Sequence, residues 1–159
     1  MLLLVALAAC AWLALLMLAP LLAAPLAAAL YAVGAQICHQ RPERSFHLFA
    51  AQLPVCARCL GLYAGAALGS PLALASAVRA RIAAWPSRML LVTASIPTVL
   101  TLVAEWSGAW GGSNAVRAAA GLPLGGAVAL VVARAVATLH YGGCAPRRPI
   151  ASNRPPTPI

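Results

Sequence analysis

The sequence predicts an all-α integral membrane protein: four transmembrane helices with a Cys/His-containing outer loop. Three observations carry this. Of 159 residues, 63% are hydrophobic and only 8% are charged, where soluble domains carry about 25% charged residues. Mean hydropathy is +0.90. The apolar residues also gather into four runs, each near the ~20 residues that a hydrocarbon core requires. A core of this size cannot hide so much apolar surface from water, so lipid is the expected solvent.

The first span is expected over 2–33, broken by Pro20 and Pro25. It lacks a basic leader, and its apolar run exceeds the roughly 7–15 residues of a signal-peptide core. Leu7-Ala8-Ala9-Cys10 resembles a lipoprotein cleavage box, but the run before it is short and uncharged and continues past the cysteine. Cys10 is therefore expected to be a buried apolar thiol. The second span is expected over 53–78, the third over 89–106 with Pro97, and the fourth over 115–140. Proline is tolerated in such helices when neighbours satisfy the freed carbonyl. Residues 1–144 thus form one membrane domain, with Cys144 a bystander at its end. The Pro- and Arg-rich stretch 145–159 is expected to be a disordered tail.

Eleven arginines and no lysine, against Glu43 and Glu105, give a net charge of +9. In a soluble domain this would suggest nucleic acid. Here the arginines flank apolar spans, so the expected partner is the lipid bilayer and not a nucleic acid. Arg79, Arg81 and Arg88 lie in one loop, and Arg147, Arg148 and Arg154 in the tail. The positive-inside rule makes that side cytoplasmic. Both termini are then cytoplasmic in an inner (plasma) membrane of bacterial type, and the loops holding Cys38–Cys56 and 107–114 face outward.

The outward loop concentrates the chemistry. Pro54 is expected to pre-set the start of the second helix. Cys56 and Cys59 then share one face of its first turns. Thiols near a helix N-terminus and beside Arg58 gain thiolate character, the form that binds metal or attacks a disulfide. A metal site would take Cys38, Cys56 and Cys59, with His39 or His47 completing a tetrahedral set around Zn2+ or another transition metal. A redox site would use Cys56 and Cys59 as a dithiol pair with Cys38 resolving. A plain disulfide from Cys38 to Cys56 or Cys59, closing the loop of a structural subunit, is the third alternative.

Around the cysteines, Tyr63 is expected on the Cys56/Cys59 face. Gly61, Gly65 and Gly69 form a small-xxx-small ridge on the opposite face, with Gly121 and Gly125 of the fourth span as the candidate partner. Glu105, Asn114 and Arg117 fall at the outer end, at the level of the cysteines. Charges at membrane depth are costly unless paired, so Glu105 is expected to pair with Arg117 or Arg58. Arg44, Arg58, Tyr63, Glu105, Asn114 and Arg117 make a polar pocket suited to a small anion or a lipid headgroup. Arg134, near the inner end, is expected to snorkel to the interface. Arg44-Ser45-Phe46, following Pro42, is expected to open a short helix in the outer loop, whose Phe46, Leu48, Phe49 and Leu53 dip into the membrane surface.

Cys38-His39-Gln40-x-Pro42-x-Arg44-Ser45-Phe46, followed by Pro54-x-Cys56-x-Arg58-Cys59-x-Gly61-x-Tyr63-x-Gly65, resembles the domain of unknown function 2085 family of small membrane proteins. Ser113-Asn114-x-x-Arg117-x-x-x-Gly121 is a second matching segment. The resemblance covers about residues 30–130. It departs where members carry Asp-Gly and Thr-Gly, since Glu105-Trp106 and Ala120-Gly121 stand there. It implies the membrane fold and the cysteine site, and no particular reaction. The chain has no phosphate loop, H-E-x-x-H, G-x-S-x-G or dinucleotide fingerprint, which argues against nucleotide-driven and ordinary hydrolytic chemistry.

Overall fold

Helices end in this chain where proline or a polar stretch interrupts the apolar runs. The computed structural model describes residues 1–141. The tail expected over 145–159, and Cys144, lie outside the described residues. Helix α1 covers Leu2–Leu18 and passes into a 3-10 turn at Ala19–Leu21 that contains Pro20. Leu22 is extended, and α2 starts afresh over Ala24–Ile37 with Pro25 in its first turn. Proline has no N–H for a carbonyl one turn back, but it fits a helix start. The apolar run 2–33 is therefore two helices. α2 alone, at 14 residues, is shorter than a hydrocarbon core requires.

A 3-10 turn at Pro42–Arg44 leads into a two-stranded antiparallel hairpin, β1 (Ser45–Leu48) and β2 (Ala51–Cys56). Ser45 pairs with Cys56, His47 with Gln52 and Leu48 with Ala51. The architecture is thus mostly helical with a small sheet, not all-α, and the short helix expected after Arg44 is a strand. The physical reason is local. Ser45-Phe46-His47-Leu48 alternates with period 2, and Phe49 and Ala50 both take left-handed backbone, φ 50 and 63, which suits a two-residue hairpin turn. Phe49 points away at 78% exposed, while Leu53 is buried. Pro54 lies in β2, not at the helix start, because a two-stranded ribbon leaves edges where a missing N–H costs nothing.

Helix α3 follows directly over Ala57–Leu72, and α4 (Ser76–Ala83) turns away from it by 112°. Helix α5 spans Ser87–Trp106 and α6 spans Asn114–Tyr141. By length and composition, residues Leu2–Leu21, Ser87–Trp106 and Asn114–Thr138 suffice to cross a membrane; the bent α3–α4 pair would make a fourth crossing.

The closest helix seam joins α3 to α6. A Cβ added at Gly61 or Gly65 would collide with the carbonyls of Ala118 or Leu122, and one at Gly125 with the carbonyl of Leu62. The glycine ridge and its expected partner on α6 therefore meet backbone to backbone. Helix α1 lies against α3 in the opposite sense. Cys10 approaches the Ala67 carbonyl at 3.6 Å, the Trp12 and Tyr63 rings meet edge to face at 6.0 Å, and Leu16 clusters with Leu60. The end of α1, the hairpin and the start of α3 thus converge at one end of the bundle. The end of α5 and the start of α6 arrive there too, through Glu105 and Arg117.

Candidate metal centre and its arginine surround

Two chain segments, the end of α2 and the β2–α3 junction, deliver three sulfurs to this end. Cys38 caps α2 in extended backbone, its N–H bonded to Gly34 O at 2.9 Å. Cys56 ends β2 and caps the start of α3; its N–H donates to Cys38 Sγ at 3.2 Å. Cys59 lies in the first turn of α3. The three Sγ atoms all stand within 4.8 Å of one another. Cys38 and Cys56 are buried and Cys59 half-buried. Leu16, Leu53, Val55 and Leu60 wall the cluster, with Trp12 and Tyr63 against it, so Tyr63 does share the cysteine face.

A network of amides fixes the Cys38 segment. Gln40 has left-handed backbone, φ 44. Its Nε2 donates to the carbonyls of Tyr31 at 2.8 Å and Pro54 at 2.7 Å. Gln52 Nε2 donates back to Gln40 O at 2.6 Å and to Ser45 Oγ at 3.3 Å, and the Tyr31 hydroxyl donates to Gln52 O. Ser45 Oγ donates to Arg41 O at 2.9 Å. Gly34 lets α2 approach β2, since a Cβ there would strike Pro54 O and the Gln40 amide.

Cys56 sits just ahead of α3. The hydrogen bond from the Cys59 thiol, with backbone N–H groups of Cys59 and Arg58, holds the Cys56 thiol well below its ordinary value, outweighing burial. Cys10, Cys38, Cys56 and Cys59 are all free thiols. The loop-closing disulfide is therefore absent; hydrogen bonds and strand pairing close the loop. His39 and His47 are exposed and fall outside the group of converging ligand atoms. In extended backbone successive side chains point to opposite faces. This turns His39 away from Cys38, and His47 away from Phe46 and Leu48.

Beside the sulfurs stands a second cluster. Glu105, in the last turn of α5, has a side chain only 3% exposed. Its Oε1 accepts from Arg58 Nη2 at 2.9 Å and from Arg117 Nε at 2.8 Å, and Arg44 Nη1 lies 3.5 Å from Oε2. Glu105 thus pairs with both expected arginines and a third. Arg117 also donates to Asn114 Oδ1 at 2.8 Å and Gly111 O at 3.1 Å. Asn114 Nδ2 donates to Ser45 O at 3.0 Å, and Ser45 is the strand partner of Cys56. Arg58 stands between Cys56 and Cys59 in sequence, so the two clusters share one turn of α3. Arg58 Nε and Glu105 Oε2 are buried without a hydrogen-bond partner among the described residues. Three guanidinium groups on one carboxylate leave two positive charges in excess.

Sequence reasoning missed Tyr31, Gln52 and Thr101, whose hydroxyl Arg58 reaches at 3.5 Å. Gln40 and Ser45 were visible inside the Cys38–Phe46 motif, without their roles. Gln52 and Tyr31 act on distant backbone carbonyls, and no local spacing announces such bonds.

Residues 38–131 match the family model described as predicted membrane protein (DUF2085). An uncharacterized protein of Methanocaldococcus jannaschii is 55% identical over 40 residues, covering 25% of this chain and 26% of that protein. An uncharacterized protein of Methanothermobacter thermautotrophicus is 36% identical over 89 residues, covering 56% of this chain and 78% of that protein. Both relatives are archaeal, so the expectation of a bacterial type has no support from them. No solved structure matches. The family match takes in all three converging cysteines, the hairpin, and every arginine on Glu105, and this chain belongs to the DUF2085 family of predicted membrane proteins.

Proposed function

We propose that this protein is a multi-pass protein of the plasma membrane that binds one transition-metal ion, Zn2+ or another thiophilic ion, on Cys38, Cys56 and Cys59. The observation that carries the reading is the convergence within 4.8 Å of three sulfurs, one from the end of α2 and two from the β2–α3 junction. Metal–sulfur bonds of about 2.3 Å place sulfurs on one ion roughly 4 Å apart, so a small contraction closes the site. Buried thiols gathered this closely with an amide network fixing their loop resemble a preorganised ligand set. The supporting topology has α1, the α3–α4 pair, α5 and α6 as four crossings. Arg79, Arg81 and Arg88 then mark the cytoplasmic side by the positive-inside rule. Both termini lie there, and the cysteines face outward.

A second reading draws on a different observation. The lowered thiol of Cys56, at a helix start three residues before Cys59, suits thiol–disulfide exchange. The two readings separate by elemental analysis of protein purified without chelator, beside thiol counting. The metal reading predicts one bound ion per chain and its loss in Cys38→Ser, Cys56→Ser and Cys59→Ser alike. A metal-free chain that loses two thiols on mild oxidation and regains them on reduction, with Cys38→Ser still competent, would replace it with the redox reading.

A further inference from the structure

Three sulfurs without a fourth ligand are an incomplete site for zinc. Structural Zn2+ is four-coordinate almost without exception. Among the described residues, the ligand atoms within reach of one another are those of Cys38, Cys56 and Cys59 alone. A water could fill the fourth position only with about two to four polar partners of its own. Leu16, Leu53, Val55 and Leu60 wall the sulfurs with carbon, and Tyr63, already hydrogen-bonded to Trp12, brings one hydroxyl against them, fewer polar partners than such a water needs. A soft d10 ion that accepts three thiolates as a full shell fits this wall better, and Cu(I) is the thiolate-seeking ion of that kind.

Charge points the same way. Arg44, Arg58 and Arg117 surround the one carboxylate of Glu105, and the surplus of two positive charges is tied to the sulfurs by Arg58, which stands between Cys56 and Cys59 in the chain. Unbalanced charge at membrane depth is costly. Three thiolates on a monovalent ion carry two negative charges, on a divalent ion one, and on a trivalent ion none. The monovalent complex balances the surplus. The anion that the arginine pocket calls for is then internal, the metal–thiolate complex itself.

We infer that Cys38, Cys56 and Cys59 form a trigonal site selective for Cu(I), with the Arg44, Arg58, Arg117 and Glu105 cluster as its counter-charge. The inference rests on the metal-binding reading above and names its ion. As each sulfur–copper bond forms, any proton still on that thiol leaves to solvent; copper stays Cu(I) and no electron moves.

The test uses the full chain in mild detergent under anaerobic conditions, titrated with Cu(I) against a chromophoric Cu(I) chelator and with Zn2+ against a chromophoric Zn2+ chelator. The expected result is one Cu(I) per chain, held against its chelator under conditions where Zn2+ is stripped. X-ray absorption should show sulfur neighbours only. Retention of Zn2+ and loss of Cu(I) would overturn this inference and leave the metal reading standing; retention of neither would overturn both. The counter-charge is tested by Arg58→Gln. Removing one nearby positive charge should weaken Cu(I) about tenfold and Zn2+ roughly threefold, because the zinc complex carries half the charge. Equal losses for the two ions, or none, with helicity intact would overturn the counter-charge role. If Arg58→Gln does not fold, the more exposed Arg44→Gln decides: a larger loss for Cu(I) than for Zn2+ supports the role, and equal losses or unchanged Cu(I) binding overturn it.

Discussion

The two ends of this bundle use arginine differently. At one end, Arg79 Nη1 donates to the carbonyls of Ala73 and Leu74 just beyond α3. Arg134 donates to Ile82 O at 2.9 Å in the last turn of α4 and to Trp85 O at 3.0 Å just beyond it. These cations satisfy carbonyls left over where helices stop, which is both a capping and a dipole interaction. At the other end, Arg58 and Arg117 converge on one buried carboxylate, with Arg44 at its rim. Capping needs no carboxylate and leaves each charge near solvent. The converged set leaves two positive charges in excess, with Arg58 set in the chain between Cys56 and Cys59. Arginine count alone therefore says little about what each arginine does.

The contrast breaks most visibly if its central carboxylate is removed. Glu105→Gln leaves three guanidinium groups around a neutral amide, and breaking a buried charge network of this kind costs about 3–5 kcal/mol. The thermal midpoint in detergent should fall steeply, or the chain should fail to fold; an unchanged midpoint would mean the cluster is far better hydrated than its burial indicates. The seam between the ends is a control that touches neither arginine set. Gly125→Leu must push against the Leu62 carbonyl, and overpacking costs about 1–3 kcal/mol. Here stability should drop while metal stoichiometry in the folded fraction stays at one.

Gln40→Ala sharpens the comparison from the thiol side. It touches no sulfur, but it frees the loop that carries Cys38 from Tyr31 and Pro54. Loss of such an outer partner should weaken metal binding about 10–100-fold, read by chelator competition, with near-native helicity. The smallest effect belongs to the capping end. Arg134→Gln removes half-exposed contacts to backbone oxygens, so stability should change by about 1 kcal/mol or less and metal affinity not at all. A metal defect in Arg134→Gln would dissolve the distinction between the two ends.

Much of this was legible in the sequence. Charges isolated in apolar runs have few partners to choose from, which is why Glu105, Arg58 and Arg117 were readable as a set. A glycine every fourth residue is meaningful in lipid, and the α3–α6 seam followed from it. The cysteines declared themselves by residue type. The hairpin did not, because the segment after Arg44 is short enough to suit either period, and the left-handed Phe49 and Ala50 carry no glycine signal. Nor did the histidines' exclusion, since it depends on the extended backbone at Cys38 and along β1. The break in the first apolar run was marked by Pro20 and Pro25, but the docking of α2 on β2 rests on Gly34 and Gln40, whose partners lie far along the chain.

The most direct test of the central claim is the native-mode intact mass of the full chain, purified in mild detergent without chelator or reductant. The account predicts a mass above the bare chain by one metal ion, reverting to the bare mass in Cys56→Ser. A bare mass in the wild type after exposure to both Cu(I) and Zn2+, or a metal-free chain lighter by two hydrogens, would contradict it.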